Sequence, residues 1–159
     1  MEVHDERLPR ERYTEFIAAM PEACVDVVVE HEGRVLVGRR ENEPARGEWF
    51  WPGSRLFKGE ALADAVHRVA EDELGIAVTV EEQLGANGHF WESSAQSADV
   101  SRHTVVVVYR ATPVADDPDP GGDDQHSAFR WLAGPDPSLH EYVERYFERY
   151  DLPRGDRAD

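Results

Sequence analysis

Pro-Gly-Ser-Arg-Leu-Phe-Lys-Gly-Glu-Ala-Leu-Ala-Asp-Ala-Val-His-Arg-Val-Ala-Glu-Asp-Glu-Leu-Gly-Ile, residues 52–76, is the stretch that decides the fold. It begins as a turn that contains glycine and continues as an amphipathic helix. We expect Gly59 and Glu60 to open this helix, because the positive end of the helix dipole favours a carboxylate. Gly75 closes it, because a left-handed conformation costs glycine little. Apolar residues recur at the spacing of one helix face, at Leu62, Val66, Val69, Ala70, Leu74 and Ile76.

The same helix gathers carboxylates around a single cation. Arg68 is surrounded in sequence by Glu60, Glu71, Asp72 and Glu73. Carboxylates beside a glycine turn suit a hard divalent cation that also holds phosphate oxygens. The stretch therefore indicates a metal-assisted site for a phosphorylated ligand.

Residues 53–76 resemble the signature of the Nudix hydrolases, a loop–helix–loop that carries Gly, Glu, an Arg-Glu pair, two further Glu and a Gly at fixed spacing. The family positions are occupied here by Glu60, Arg68, Glu73, Gly75 and Ile76. Three positions depart from the signature: Ser54 replaces a glycine, Val69 replaces the Glu after Arg, and Asp72 replaces the first of the paired Glu. The change at Val69 matters most, because it removes a candidate metal ligand.

Composition narrows the class of protein. A chain of 159 residues has room for one domain with a substantial core, and we expect residues 1–159 to form a single Nudix domain. No apolar run is long enough to span a bilayer, and the N-terminus lacks the features of a signal peptide, so we expect a cytoplasmic protein. One cysteine, Cys24, excludes an internal disulfide, and its apolar surroundings predict a small core residue.

The charge balance is strongly acidic. Asp and Glu number 33 against 17 Lys and Arg, which argues against nucleic acid or an anionic membrane as a partner. The basic residues are almost all arginine, with Lys58 the only lysine. We interpret an acidic surface with little lysine as a sign of a salt-adapted, halophilic host.

The remaining elements follow from hydrophobic periodicity and turn signals. Helices are predicted over 8–20 and 138–149, and strands over 24–29, 34–38, 77–91, 102–111 and 125–132, with a hairpin around residues 31–33. The Asp/Pro/Gly-rich segment 113–124 is predicted to be a mobile loop. The aromatic run 49–51 is more typical of core than of a ligand platform.

Two positions leave alternatives open. Asp26 lies inside a valine run, where it faces solvent or, if buried, needs a partner and is then a functional candidate. Of the adjacent Arg39 and Arg40, only one can point inward.

Residues outside the signature resemble one branch of the family, the GDP-mannose mannosyl hydrolases, which also lack the Glu after the signature Arg. The resemblance runs from about Ala23 to Leu132. It rests on Val-Asp at 25–26, Gly-Arg-Arg at 38–40, Pro-Ala-Arg-Gly-Glu-Trp-Phe at 44–50, Pro-Gly-Ser-Arg at 52–55, His-Phe at 89–90 and Gln-His at 125–126 before Arg-Trp-Leu. It implies a Nudix α/β/α sandwich, with a mixed sheet between helices, and a homodimer.

The branch implies Mg²⁺-dependent hydrolysis of a GDP-sugar to GDP and free sugar, with water attacking the anomeric carbon and inverting it. Mn²⁺ is the alternative cofactor. The resemblance assigns the metal to the Gly53 carbonyl, Glu73 and Gln125, and the base to His126, whose ordinary pKa suits the task. Arg40, Arg55 and Arg68 would stand near the diphosphate, because guanidinium groups bind phosphate oxygens in pairs. Asp26, Arg40 and His89 are carried over as sugar or nucleotide contacts; for His89 the alternative is a strand-end residue bonded to backbone.

Two departures weaken particular contacts. The branch has Tyr where Thr104 stands, so one diphosphate contact is in doubt. Asp72 either restores a second metal ligand or is solvated, and the abundance of acidic residues favours the second.

Two other functions compete with this one. An ordinary Nudix pyrophosphohydrolase would cleave a nucleoside diphosphate derivative at phosphorus and release a nucleoside monophosphate. A non-catalytic Nudix-like domain would bind a nucleotide or a partner protein and regulate it. Ser54 and Val69 favour the regulator slightly, and Glu73, Arg68 and Gln125-His126 oppose it.

Overall fold

The computed structural model describes residues 1–94, 99–121 and 126–155. Within these ranges lie three helices and seven strands. In chain order they are α1 (Arg10–Ala19), β1 (Glu22–His31), β2 (Arg34–Arg40), β3 (Trp49–Phe50), β4 (Gly53–Arg55), α2 (Leu62–Leu74), β5 (Val78–Trp91), β6 (Arg102–Pro113), β7 (His126–Leu132) and α3 (Glu141–Arg149).

Strand β1 is the centre of the sheet. It pairs in parallel with β6 over residues 22–29 and 104–111, antiparallel with β4 at its start and antiparallel with β2 at its end. Strand β5 adds to the outer edge of β6, while β3 and β7 both pair with β2. The resulting sheet mixes parallel and antiparallel pairs, as the sequence predicts.

Helices cover both faces of this sheet, which confirms the predicted α/β/α sandwich. The alternation of β1 sends Val25, Val27 and Val29 to one face, where they pack against the apolar side of α2. Cys24 and Val28 point to the other face, where the aromatic residues of α3 cover them. Both faces of β1 are thus buried, which explains its nearly continuous valine run.

The helix ends differ from the predictions by a few residues. Helix α2 begins at Leu62 rather than at Glu60, because Ala61 is still extended and the Glu60 carboxylate accepts a hydrogen bond from the Phe57 amide (3.0 Å). Helix α3 begins at Glu141 rather than at residue 138. Ser138 is held in a turn by Asp136, and the His140 ring caps the helix by accepting the Tyr142 amide.

The segment predicted to be a mobile loop is tied to α2 at its last described residue. The amide of Gly121 donates to the carbonyl of Leu74 (2.9 Å), and residues 122–124 lie outside the described ranges. Among the described residues, no helix is both long enough and apolar enough to cross a membrane.

Gly75 ends α2 in the left-handed conformation, with φ of 64°, and a Cβ there would lie 2.9 Å from the Gly121 carbonyl oxygen. Gly33 in the β1–β2 hairpin also has a positive φ (70°), but nothing lies near its Cβ position. We predict that Gly75→Ala lowers the free energy of unfolding by more than the ~1–2 kcal/mol expected from the backbone conformation alone. Gly33→Ala is the matched control, and urea denaturation measures both. Equal losses would show that the approach to Gly121 has no energetic effect.

Candidate active site

A small cleft opens on the α3 face of the sheet. Its floor is built from alternate residues of neighbouring strands, because side chains two apart on a strand share a face. The floor residues are Cys24 and Asp26 of β1, Arg102, Thr104 and Val106 of β6, His89 and Trp91 of β5, and Gly53 and Ser54 of β4. The walls are Arg40, Pro44, Phe50 and Trp51, from the end of β2 and the segment leading to β4.

The structure decides between the two positions that the sequence left open for Asp26, facing solvent or paired with a partner. Its carboxylate faces the cleft and accepts a 2.6 Å hydrogen bond from the hydroxyl of Tyr146 on α3. Burial raises the pKa of Asp26 from 3.8 to about 7, although the Tyr146 bond and the cations Arg40 and Arg102 favour the charged form. A partly neutral carboxyl can both accept and donate hydrogen bonds, which suits recognition of hydroxyl groups.

Arg40 is the inward member of its pair, whereas Arg39 is exposed. The Arg40 Nε donates to the Pro44 carbonyl at 2.8 Å, and its guanidinium lies over the Phe50 ring. Burial and the nearby charge of Arg102 lower its pKa. Two guanidinium groups that face one cleft create an anion-binding site.

The second of these cations, Arg102, is fixed by a network that begins in α1. Its Nε and Nη2 donate to one oxygen of Glu22 at 2.9 and 2.7 Å, and the Tyr13 hydroxyl donates to the other oxygen at 2.6 Å. Glu22 is almost fully buried. Among the described residues, the hydrogen bonds of Arg102 use Nε and Nη2.

His89 lines the cleft. The alternative, a residue at the end of a strand that bonds to the backbone, does not describe His89. It is 5 % exposed, its ring stacks on Tyr142 (4.4 Å between centroids), and its Nε2 has no partner among the described residues. Burial, with Arg145 and His140 nearby, lowers its pKa from 6.5 to about 4. The imidazole is therefore neutral at physiological pH.

The signature helix contributes one buried carboxylate next to the cleft. Glu73 is 3 % exposed and accepts a 3.0 Å hydrogen bond from the amide of Gly53. Val69 is fully buried in the core, and Asp72 is exposed. Across the described part of the chain, no three His, Cys, Asp or Glu side chains cluster as a metal site would require. A cation near Gly53 would thus depend on Glu73 together with neutral oxygens.

Two arginines predicted near the diphosphate do not line the cleft. Arg68 donates to both oxygens of Glu60 (2.6 and 2.9 Å) and to the carbonyl of Arg55 (2.9 Å), and its guanidinium stacks on Phe57. The Arg55 side chain lies between the rings of Tyr13 and Phe57 and reaches the carbonyl of Glu6. Arg68 thus ties the loop between β4 and α2 to the helix.

His126 begins β7 and is the register partner of Arg40. Its ring packs directly on Gly38, where an added Cβ would come within 2.4 Å of it. Gly38 and Arg40 are two apart on β2, so His126 lies on the face of β2 that carries Arg40. It does not itself line the cleft, and Gln125 lies outside the described residues.

The comparisons with known proteins agree with this architecture. Residues 20–151 match the NUDIX domain, which is most of the chain. The chain belongs to the Nudix family. A low-salt glycan biosynthesis protein, Agl8, from Haloferax volcanii is 44 % identical over 145 residues, which are 91 % of this chain and 92 % of that protein.

Two further Nudix-related proteins are more distant. An ADP-ribose pyrophosphatase of Methanocaldococcus jannaschii is 26 % identical over 69 % of this chain and 61 % of its own length. The crystal structure of a MutT NUDIX hydrolase from Burkholderia pseudomallei has a TM-score of 0.63 and 28 % identity, covering 82 % of this chain and 98 % of that one. Nudix hydrolases in general act on small-molecule nucleotide derivatives and use divalent metals such as Mg²⁺.

Two residues that line this Nudix cleft, and one that holds a cleft residue, were not found from the sequence as site residues. Arg102 was placed only at the start of the strand predicted over 102–111, although a lone arginine before a valine run was the available signal. Trp51 was interpreted as core, which its burial confirms, but it also lines the cleft. Tyr146 lies 120 residues from its partner Asp26, and no local pattern connects the two.

The lowered pKa of His89 gives a prediction for stability. In the unfolded chain this imidazole binds a proton near pH 6.5, and in the folded protein only near pH 4, so its contribution to stability is complete above 6.5 and is lost as pH falls through this range. We predict that His89→Gln flattens the fall of the unfolding free energy between pH 6.5 and 4, by up to about 1.4 kcal/mol per pH unit.

The control is His67→Gln on the exposed side of α2. Urea denaturation at pH 4.5, 5.5 and 7 measures the slope for each protein. Equal slopes in wild type and H89Q would contradict the assignment.

Proposed function

We propose that this Nudix protein hydrolyses a GDP-sugar similar to GDP-mannose, giving GDP and free sugar with inversion at the anomeric carbon. The observation that carries the proposal is the burial of Val69 in the apolar core. With Val69 at this position, helix α2 brings a single carboxylate, that of Glu73, to the Gly53 turn, where the common signature for hydrolysis at phosphorus would place a cluster of carboxylates. Neutralising a leaving diphosphate as a Lewis acid is a role that one bound cation performs.

The residues at the Gly53 turn fit a divalent cation of this kind. Mg²⁺ is commonly held by one or two carboxylates together with substrate phosphates and water. Glu73 would supply the carboxylate, with the Gly53 carbonyl and the Gln125 amide oxygen as the neutral ligands implied by the family branch; Mn²⁺ would fit the same oxygen ligands. When bound, the metal supplies Lewis-acid neutralisation of the diphosphate.

The chain itself supplies the cations that bind the diphosphate. Arg40 and Arg102 face the cleft, and each is held by neighbouring groups before any ligand arrives. Orientation fixed in advance stabilises developing negative charge on a leaving group better than a mobile side chain does. Arg102 and Thr104 lie on the same face of β6. Arg102 would therefore reach phosphate oxygens that the short side chain of Thr104 cannot reach. Arg68 and Arg55 act as positioning residues for the signature loop.

His126 is the proposed general base. It would take a proton from the attacking water, while Asp26 and His89 hold uncharged parts of the substrate. Its place beside Arg40 supports this role, because a base close to the diphosphate-binding residues is also close to the anomeric carbon. Among ordinary side chains, imidazole is the one whose unperturbed pKa suits general-base catalysis near neutral pH.

The relative from Haloferax volcanii supports the proposal through its name, which refers to glycan biosynthesis, because nucleotide sugars are the activated donors from which glycans are made. Separately, the acidic composition of the present chain, with 33 carboxylates against 17 basic residues, suits a salt-adapted cell. We place the protein in the cytoplasm, acting on a small-molecule substrate as a homodimer without a nucleic-acid or membrane partner.

The decisive test is the fate of the oxygen from water. GDP-mannose is incubated with the protein and Mg²⁺ in H₂¹⁸O, once in molar KCl and once in dilute buffer. The products are separated by anion-exchange chromatography, and their masses are measured by mass spectrometry. We expect unlabelled GDP and ¹⁸O-labelled mannose.

The ADP-ribose pyrophosphatase relative favours the alternative, hydrolysis at phosphorus. GMP and mannose phosphate, with ¹⁸O on a phosphate, would establish that alternative and contradict ours. Tight binding without cleavage in either salt would support the regulatory domain instead.

His126→Gln is predicted to lower kcat by about 10²–10⁴-fold with a small change in KM, because the base acts in the transition state. His103→Gln is the matched control: it lies on β6 with its ring stacked on the exposed Phe90, away from the cleft. Nearly normal turnover by H126Q would refute the assignment of the base.

A further inference from the structure

Two residues that line the cleft carry a buried nitrogen atom without a hydrogen-bond partner in the described part of the chain. Among the described residues, the buried side-chain nitrogens without one are Trp51 Nε1, His89 Nε2 and Arg110 Nε. Arg110 remains within an ion pair, since its Nε lies 3.3 Å from Glu30 and its Nη1 bonds Glu82. The other two residues both line the cleft.

The indole of Trp51 has a narrow chemical role. It is a hydrogen-bond donor with no acceptor capacity, and an indole N–H usually finds a partner when it is buried. Trp51 is 3 % exposed, and its Nε1 is sealed from water as well as from acceptors among the described residues. Such an N–H is stabilised by any ligand that brings an acceptor within hydrogen-bond distance.

Packing fixes the direction of this N–H. The indole stacks on Tyr146 at 5.6 Å with only 6° between the planes, and it also contacts the Phe147 ring. A ring held between helix α3 and the sheet cannot rotate to find another partner. A ligand oxygen reaches Nε1 only when the adjoining side chains of the cleft move aside.

The surroundings of Trp51 select an uncharged acceptor. Tyr146, on which the indole stacks, donates its hydroxyl to Asp26, so Trp51 and the carboxyl of Asp26 contact the same tyrosine from the wall and the floor of the cleft. A phosphate placed beside that carboxyl would be repelled once Asp26 is ionised. A group that accepts from the indole and donates to the carboxyl fits both, and sugar hydroxyls or the edge of a purine base have this pattern.

We propose that the Trp51 N–H donates a hydrogen bond to an uncharged oxygen of the bound nucleotide sugar and thereby makes Trp51 a specificity residue of the cleft. The inference rests on the proposed function for the class of ligand. It is independent of whether water attacks carbon or phosphorus, because both reactions bind the same nucleotide sugar.

The first test observes the N–H directly. The chain contains four tryptophans, so a ¹⁵N–¹H correlation spectrum has four indole signals, and the Trp49, Trp91 and Trp131→Phe variants assign the signal of Trp51 by elimination. The protein is titrated with GDP and with a GDP-mannose analogue in which methylene replaces the anomeric oxygen. We expect the Trp51 proton to move downfield on binding. A shift with the analogue alone identifies a hydroxyl of the mannose, and an equal shift with GDP identifies an oxygen of the nucleoside.

The second test measures affinity by calorimetry. Trp51→Phe should weaken binding of the analogue about 3- to 10-fold, as loss of one neutral hydrogen bond predicts, and leave inorganic pyrophosphate unaffected. Trp49→Phe is the matched control, since Trp49 lies outside the cleft and contacts Arg130. An unmoved Trp51 signal, or equal losses for the analogue and for pyrophosphate, would overturn the inference. Release of GMP by wild type would overturn only the proposed reaction.

Discussion

The parallel hydrogen bonding between β1 and β6 is the constraint on which the rest of the molecule depends. With residues 22–29 in register with 104–111, alternate side chains of both strands must point to the same layer. Val25, Val27 and Val29 of β1 then meet α2, while Asp26, Arg102 and Thr104 meet on the α3 side and form the cleft floor. A slip of β6 by one residue in this register would turn Arg102 and Thr104 towards the α2 side and remove them from the cleft floor.

The second consequence of this register concerns charge. The chain as a whole is acidic, yet the cleft presents two guanidinium groups to a ligand. Each has a carboxylate close by: Glu22 bonds Arg102, and the charge of Glu73 acts on Arg40. These internal partners stabilise cations that would otherwise repel one another in a confined space. An acidic exterior and an anion-binding interior are therefore compatible, because the compensating charges lie behind the cleft wall.

Much of the architecture could be predicted from local sequence. The signature helix, its glycine end and the β1–β2 hairpin follow from periodicity and turn chemistry, since their signals lie within a few residues of one another, whereas the sandwich of layers was implied by the family resemblance. The cleft residues Asp26, Arg40, Gly53 and His89 were reached through the family resemblance. What could not be predicted depends on contacts distant in sequence: Tyr146 with Asp26, and Tyr13 and Glu22 with Arg102. For the same reason, the loop contacts of Arg68 were not visible in a pattern that showed only its charge.

The network from Tyr13 has a practical bearing on where the domain begins. The NUDIX match covers residues 20–151, and α1 precedes it. A fragment cut at the start of that match would retain all seven strands and yet leave Glu22 without the hydroxyl that orients it. Its sheet would assemble, but the Arg102 guanidinium would be without its outer support. The N-terminal helix, which the NUDIX match does not include, is thus part of the support of a residue that lines the cleft.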